Sequence, residues 1–478
     1  MKHLRTACLV VWLGLSTTGH AAGSNDLPEL GDASSSLISP QLEREIGEDF
    51  LKQIHAALPT VDDPVLKYYV HQQLANLAQH SELRERVLSA VLIDSDQINA
   101  FAAPGGVVGI NLGLMLYAED VHEYSSVLAH ELAHLSQRHF ARGIEEQRSQ
   151  SLPALAAMIA AIMIGAMGGG DAGIAAISSV QAIAQANQLR YSRGREQEAD
   201  RIGLNTLVRA DLDPQGMGRM FERMQRAYRY TRKPPEFLLT HPLSETRIAD
   251  VKSQTLQYGN DEFATSIEYQ MMRTRALVRY AASPQTAVKQ FEKEVRDDPE
   301  NLALRYGLAM ALSANERHDE AIALNDQLYS SNPHNILYAA SYADVLTKAG
   351  KIDQALQLLA RELALNPDNP PLATLYAEAL VADEQFEAAE KVLLRQSIVN
   401  KHDVDVWYDL AEVSGLAGNI VGVHLARAEF FTLHGAYQRA IQHLEYARRL
   451  TSRKNEQLHA RLDQRITDLR DKLREARS

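Results

Sequence analysis

Cysteine is almost absent: one residue, Cys8, in a chain of 478. A lone thiol cannot form an internal disulfide, so covalent staples are excluded as a source of stability. An exported chain of this size without cysteine pairs fits a bacterial periplasm better than a disulfide-held extracellular domain. Positive charge is also scarce. Lys and Arg total 49 against 61 Asp and Glu, a formal charge of −12, which excludes a general nucleic-acid binder built on a basic face. Long apolar runs are missing as well. The run near the N-terminus and the one from Ala154 to Met167 both fall short of the ~20 residues a membrane-spanning helix needs. What remains is 45% apolar, enough to bury real cores in about two to four domains.

Lys2 and Arg5 precede the first apolar run, and small residues near Gly19 and Ala21 suit a cleavage site. Residues 1–22 therefore read as a secretory signal peptide and 23–40, rich in Gly, Ser, Asp and Pro, as a flexible leader. From Gln41 the spacing turns helical, with Leu42, Ile46, Phe50, Leu51 and Ile54 on one face, and a second helix is expected near Pro64–His80. Short β-type runs between 87 and 114, broken by Pro104-Gly105-Gly106, predict a small antiparallel sheet with a tight turn. A helix from Val121 to about Gln150 follows. An apolar hairpin then spans 152–190, split by Gly168-Gly169-Gly170. It reads either as buried helices or as a lid, or a loop that touches client or membrane.

The last part of the chain repeats. Prolines fall at 299, 333 and 367, and alanines at 309, 343, 377 and 411 and again at 287, 321, 355 and 389. Small residues held at a 34-residue period let paired helices pack closely, and proline stops the second helix of each pair; this is the tetratricopeptide period. The register breaks after Ala411 and resumes shifted at Ala428 and Ala440, which implies a helix inserted or lost. A charged helix from about Lys454 to Ala476 would cap the stack. These features divide the chain into a domain at 41–262 and a repeat domain at 263–478, mainly α with one small antiparallel sheet.

The segment "VLAHELAHLSQRHF", Val127 to Phe140, carries the chemistry. Residues four apart on a helix lie ~40° apart around its axis, so His130 and His134 can reach one ion. Glu131 sits too far round to be a ligand but can reach a water on that ion, the division of labour in HExxH. A catalytic zinc site needs a third protein ligand. "LRYSRGREQEADRIG" (189–203) offers Glu196 and Asp200, again four apart, with Glu198 facing elsewhere. Glu196 is expected to be the ligand and Asp200 the acceptor that orients a ligand imidazole. His139 and His80 are left on the surface with nothing to pair with.

"AHELAHLSQRH" followed some sixty residues later by "SRGREQEADRIG" resembles the zinc metallopeptidase family that contains the CAAX prenyl endopeptidase and the heat-shock protease HtpX, a zincin-like fold. The resemblance implies that His130, His134 and Glu196 hold one Zn2+ per chain and that Glu131 activates the water. It also places a histidine loop and an arginine near the metal, here His241 and Arg247 in "LLTHPLSETRIADV". His241 could shade the open zinc position and hold the enzyme latent; a helix-start histidine before Pro242 reads equally well. Joined to a signal peptide and repeats, the resemblance implies a periplasmic endopeptidase in outer-membrane protein quality control. Its expected partners are unfolded or stalled outer-membrane proteins and the β-barrel assembly machinery, with no nucleic acid. Two other readings stay open: a chaperone or scaffold working through its repeats, and a peripheral membrane-lipid enzyme that rests only on 152–190.

Overall fold

A computed structural model describes residues 38–84, 87, 89–146, 193–230, 237–258, 263–452 and 454–475. The signal peptide, nearly all of the leader, and the hairpin at 152–190 lie outside the described residues. No helix among those described is long and apolar enough to cross a membrane.

Helix α1, Pro40–Ala57, starts where the Ser39 side chain accepts from Leu42 N–H, with proline at the first helical position. It buries Phe50, Leu51 and Ile54, as the spacing predicts. Helix α2, Pro64–His80, is capped by Asp63, which accepts from the amides of Val65 and Leu66. The sheet has strands β1 (Ser89–Ile93), β2 (Ala100–Ala103) and β3 (Val107–Asn111) in the order β1-β3-β2. The β2–β3 pair is the expected antiparallel hairpin around Pro104-Gly105-Gly106. The sheet as a whole is mixed, however, because β1 runs parallel to β3. Every residue of β2 and of β3 is buried, so neither shows the alternation of a half-solvated strand, and β3 takes the centre by pairing with both neighbours. That displaces β1 to an edge, where Thr60 bridges to Ile93.

After α3 (Gly113–Tyr117), the helix expected to reach Gln150 stops early. Helix α4 covers Val121–Ser136, Arg138 adopts φ 49°, and α5 covers His139–Glu146. A left-handed residue cannot continue an α-helix, so the chain turns there. Helices α6 (Arg193–Arg209), α7 (Gln215–Tyr230), α8 (Phe237–Thr240) and α9 (Glu245–Thr255) complete the first domain. Every residue of α4 from Val121 to His134 is buried, because α2, α6, α7 and β2 all pack on it. The α4–α6 approach depends on Gly203: a Cβ there would sit 3.3 Å from the His130 amide nitrogen.

Twelve helices form the rest: α10 (Ile267–Arg279), α11 (Pro284–Asp297), α12 (Leu302–Ala314), α13 (His318–Ser331), α14 (Ile336–Lys348), α15 (Ile352–Leu365), α16 (Pro370–Ala382), α17 (Phe386–Val399), α18 (Val404–Leu416), α19 (Ile420–Leu433), α20 (Tyr437–Leu450) and α21 (Glu456–Glu475). All eight alanines of the two series are buried. Within pairs, the turns carry a left-handed residue at Glu316, Gly350, Glu384 and Gly418, and Gly435 repeats that turn between α19 and α20. The slip after Ala411 is thus half a repeat: α19 is joined to both neighbours by the same tight turn, and Ala428 takes up the alanine position on it.

The two domains share a seam. Helix α2 packs on α14 and α16. Lys67 Nζ lies 2.8 Å from carboxylate oxygens of both Asp403 and Asp405. The Arg275 guanidinium on α10 donates to Asp63 at 2.5 Å. Tyr269 packs its ring near Tyr69 and Tyr124 and donates to the Ala118 carbonyl.

Candidate metal centre

Helix α4 presents His130 and His134 on its inward face, their Nε2 atoms 3.0 Å apart. Glu196, on the first turn of α6, places Oε1 3.4 Å from His134 Nε2 and Oε2 3.5 Å from His130 Nε2. From the short segment between α8 and α9, His241 brings Nδ1 to 3.1 Å from Glu196 Oε1 and 3.4 Å from His130 Nε2. One atom from each of these four buried side chains lies within 4.8 Å of the other three. Ligands at the corners of a tetrahedron around zinc, with bonds of ~2.0–2.1 Å, stand about 3.3 Å apart. Three imidazole nitrogens and a carboxylate at these separations fit such an ion, and the donor set is one zinc prefers.

Around this cluster the fold supplies orientation. Asp200 Oδ1 lies 3.0 Å from His130 Nδ1, the nitrogen pointing away from the cluster. Arg247 donates to both Asp200 oxygens, each at 2.7 Å, and to the Pro242 carbonyl at 3.0 Å, and its Nη1 forms an ion pair with Glu196 Oε2 at 2.6 Å. Phe237 stacks on His241, centroids 4.6 Å apart. Glu131 is 1% exposed, and His241 Nε2 lies 3.4 Å from its Oε1.

The electrostatics follow from burial and charge together. Burial raises the Glu131 pKa, against the pull of His241 and His130. It works against a charged His130 too, but Asp200 and Glu196 outweigh it and bring that imidazole up to about 9. His134 stays well below its ordinary value through burial. Glu196 and Asp200 remain depressed despite burial, the first by His241, His130 and His134, the second by Arg247 and His130.

The structure thus brings together all seven residues singled out in the sequence: His130, Glu131, His134, Glu196, Asp200 and, from the third segment, both His241 and Arg247 beside them. His139 corrects the expectation of a surface residue. It is fully buried, with Nδ1 2.9 Å from His134 Nδ1 and Nε2 3.0 Å from Glu198 Oε2. On an unbroken helix a residue five positions on points ~140° away; the turn at Arg138 swings it back. Helical periodicity carries no signal of that kind. Glu198 does face away from Glu196, toward His139 and Arg142. His80 stays near the surface, its Nδ1 2.8 Å from its own helix at the Asn76 carbonyl.

Comparison with known proteins agrees with this geometry. Residues 64–255 match the model of peptidase family M48, and residues 281–345 and 346–413 match the tetratricopeptide repeat. The chain is 34% identical to the β-barrel assembly-enhancing protease of Yersinia pestis over 328 residues, 68% of this chain and 67% of that one. It is 30% identical to the protein of that name from Escherichia coli strain K12 over 336 residues, 69% and 68% of the two chains. With a Vibrio cholerae relative, 35% identity extends over 314 residues, which is 65% of this chain and 64% of that protein.

Proposed function

The chain belongs to peptidase family M48, with tetratricopeptide repeats attached, and from that premise we propose that it is a periplasmic zinc endopeptidase of outer-membrane protein quality control. In this reading it degrades misassembled β-barrel proteins and aids their assembly. Its partners are stalled outer-membrane proteins and the β-barrel assembly machinery. The observation that carries the enzymatic part is the near-tetrahedral spacing of His130, His134, Glu196 and His241 with Glu131 alongside.

A zinc ion held by His130, His134 and Glu196 would supply an activated water and an electrophile for the scissile carbonyl. Glu131 is the base that takes the proton and delivers it to the departing amine, and burial favours that task by raising its proton affinity. Asp200 holds the His130 ring through Nδ1, and Arg247 holds Asp200 and Glu196 together. Strand β2 lies at the sheet edge and packs on α4. A client segment added along it would be bound by its main chain, which suits unfolded proteins over a sharp sequence motif.

His241 brings Nδ1 beside Glu196 and Nε2 to 3.4 Å from Glu131 Oε1, so with zinc bound it would offer a fourth ligand where the water would otherwise sit, next to the base. This arrangement is latent. His241→Ala should cleave a flexible substrate such as casein several-fold faster; equal or lower turnover at full zinc content would remove the latency.

The decisive experiment combines metal analysis with casein digestion on the purified chain. Wild type should hold one zinc and cleave. Glu131→Gln should keep the zinc and lose about 10²–10⁴-fold in rate. The double variant His134→Ala, Glu196→Ala should hold none. A wild type without stoichiometric metal defeats the proposal. Full rescue of a deletion strain by Glu131→Gln would instead favour the chaperone reading, in which the repeats carry the work.

A further inference from the structure

We propose that His139 and Glu198 form a positioning relay that fixes the proton of His134 and so prepares it as a metal ligand; this rests on the metal-centre reading above. His134 Nε2 faces the cluster, 3.0 Å from His130 Nε2 and 3.4 Å from Glu196 Oε1. To serve as a ligand it must offer a lone pair there, which leaves the ring proton on Nδ1. The atom waiting at Nδ1 is His139 Nδ1, at 2.9 Å. A nitrogen that accepts a proton bond must itself be bare, so His139 carries its proton on Nε2. That nitrogen donates to Glu198 Oε2 at 3.0 Å, and Arg142 donates to the same oxygen at 3.1 Å. The donors therefore run one way, from ligand imidazole to buried imidazole to carboxylate, and the Arg142 guanidinium donates into that carboxylate from the other side.

The two histidine ligands are thus held by different means. His130 meets a carboxylate directly, since Asp200 Oδ1 is 3.0 Å from its Nδ1. His134 lies one turn further along α4, and His139 links its outer nitrogen to Glu198. Partners of this kind fix the tautomer and ring orientation of a metal-bound histidine and raise its basicity. The left-handed turn at Arg138 makes the bridge possible, and two contacts anchor it: Arg138 donates to the Ile38 carbonyl at 2.7 Å and to Glu43 at 3.2 Å.

The test measures zinc affinity of the full chain by chelator competition, together with the absorption spectrum after cobalt loading. His139→Ala should weaken zinc binding about 10–100-fold and alter the cobalt spectrum. His139→Asn, whose side-chain oxygen stands where Nδ1 stood and still accepts from His134, should recover most of that loss. A packing role alone would not be rescued by a smaller polar side chain. Glu198 is half-buried at the domain flank, so Glu198→Ala is expected to fold and to weaken zinc binding by a few-fold even where His139→Ala fails to fold. Unchanged affinity in both alanine variants, or equal loss in His139→Ala and His139→Asn, overturns the relay while leaving the metal centre standing. Absence of zinc from the wild type defeats the metal centre itself, and the relay with it.

Discussion

The peptidase domain and the repeat domain are built on opposite economies of sequence. The metal cluster draws His130, Glu196 and His241 from three segments spread over more than a hundred residues, and each charge there serves two or three neighbours at once. Repeats are assembled from consecutive helices, each packed on the next, with buried alanines at one period. In the first domain a single lesion strands several buried charges. In the second it disturbs one joint of the stack, as expected where stability is close to a sum over neighbours. Coupling, more than burial, separates the two.

Single substitutions put that contrast to the test. Arg247→Ala removes the cation shared by Asp200 and Glu196, both nearly fully buried. Breaking a buried pair costs about 3–5 kcal/mol, and thermal unfolding of the metal-free chain should show it as the largest loss of the series. Asp63→Asn comes next. The amide can still cap α2 but removes the nearer of the two carboxylates beside Arg275, leaving only Asp344 at 3.8 Å, at a cost of ~3 kcal/mol. Burial works against the Asp63 charge, but Arg275 and the amides of Leu66 and Val65 hold its pKa below the ordinary 3.8. A depressed carboxylate contributes stability above its unfolded pKa and loses it as pH falls through the folded one. The stabilities of wild type and Asp63→Asn should therefore converge in acid, as urea titrations at several pH values would reveal.

Ala355→Leu tests the repeats. Forcing three carbons into a fully buried joint should cost about 1–3 kcal/mol, with zinc content unchanged. A loss exceeding that of Arg247→Ala would invert the comparison. At the small end, Arg395→Ala removes an exposed partner of Asp368, and its melting temperature should match wild type.

What the sequence made legible follows the same division. The repeat period, its alanines and the half-repeat slip stood in plain register, because each contact joins residues a fixed distance apart. So did His130, His134 and Glu196, since four-residue spacing on a helix is local geometry. The topology of the sheet was not legible, because which strand takes the centre depends on burial by the helices packed on it. Nor was His139: helical extrapolation past Ser136 aims it at solvent, and only one backbone reversal returns it to the interior. Arg247 was visible as a candidate, but its double grip on Asp200 depends on α6 and α9 meeting, a contact no period encodes.

That grip also limits how the site would open if His241 shades it as proposed. Arg247 holds the Pro242 carbonyl along with Asp200 and Glu196, so the stretch bearing His241 is moored immediately behind the histidine. Exchange of the imidazole for an incoming peptide would then be a swing of one ring and a few bonds past a fixed post, with the contact between the domains left in place.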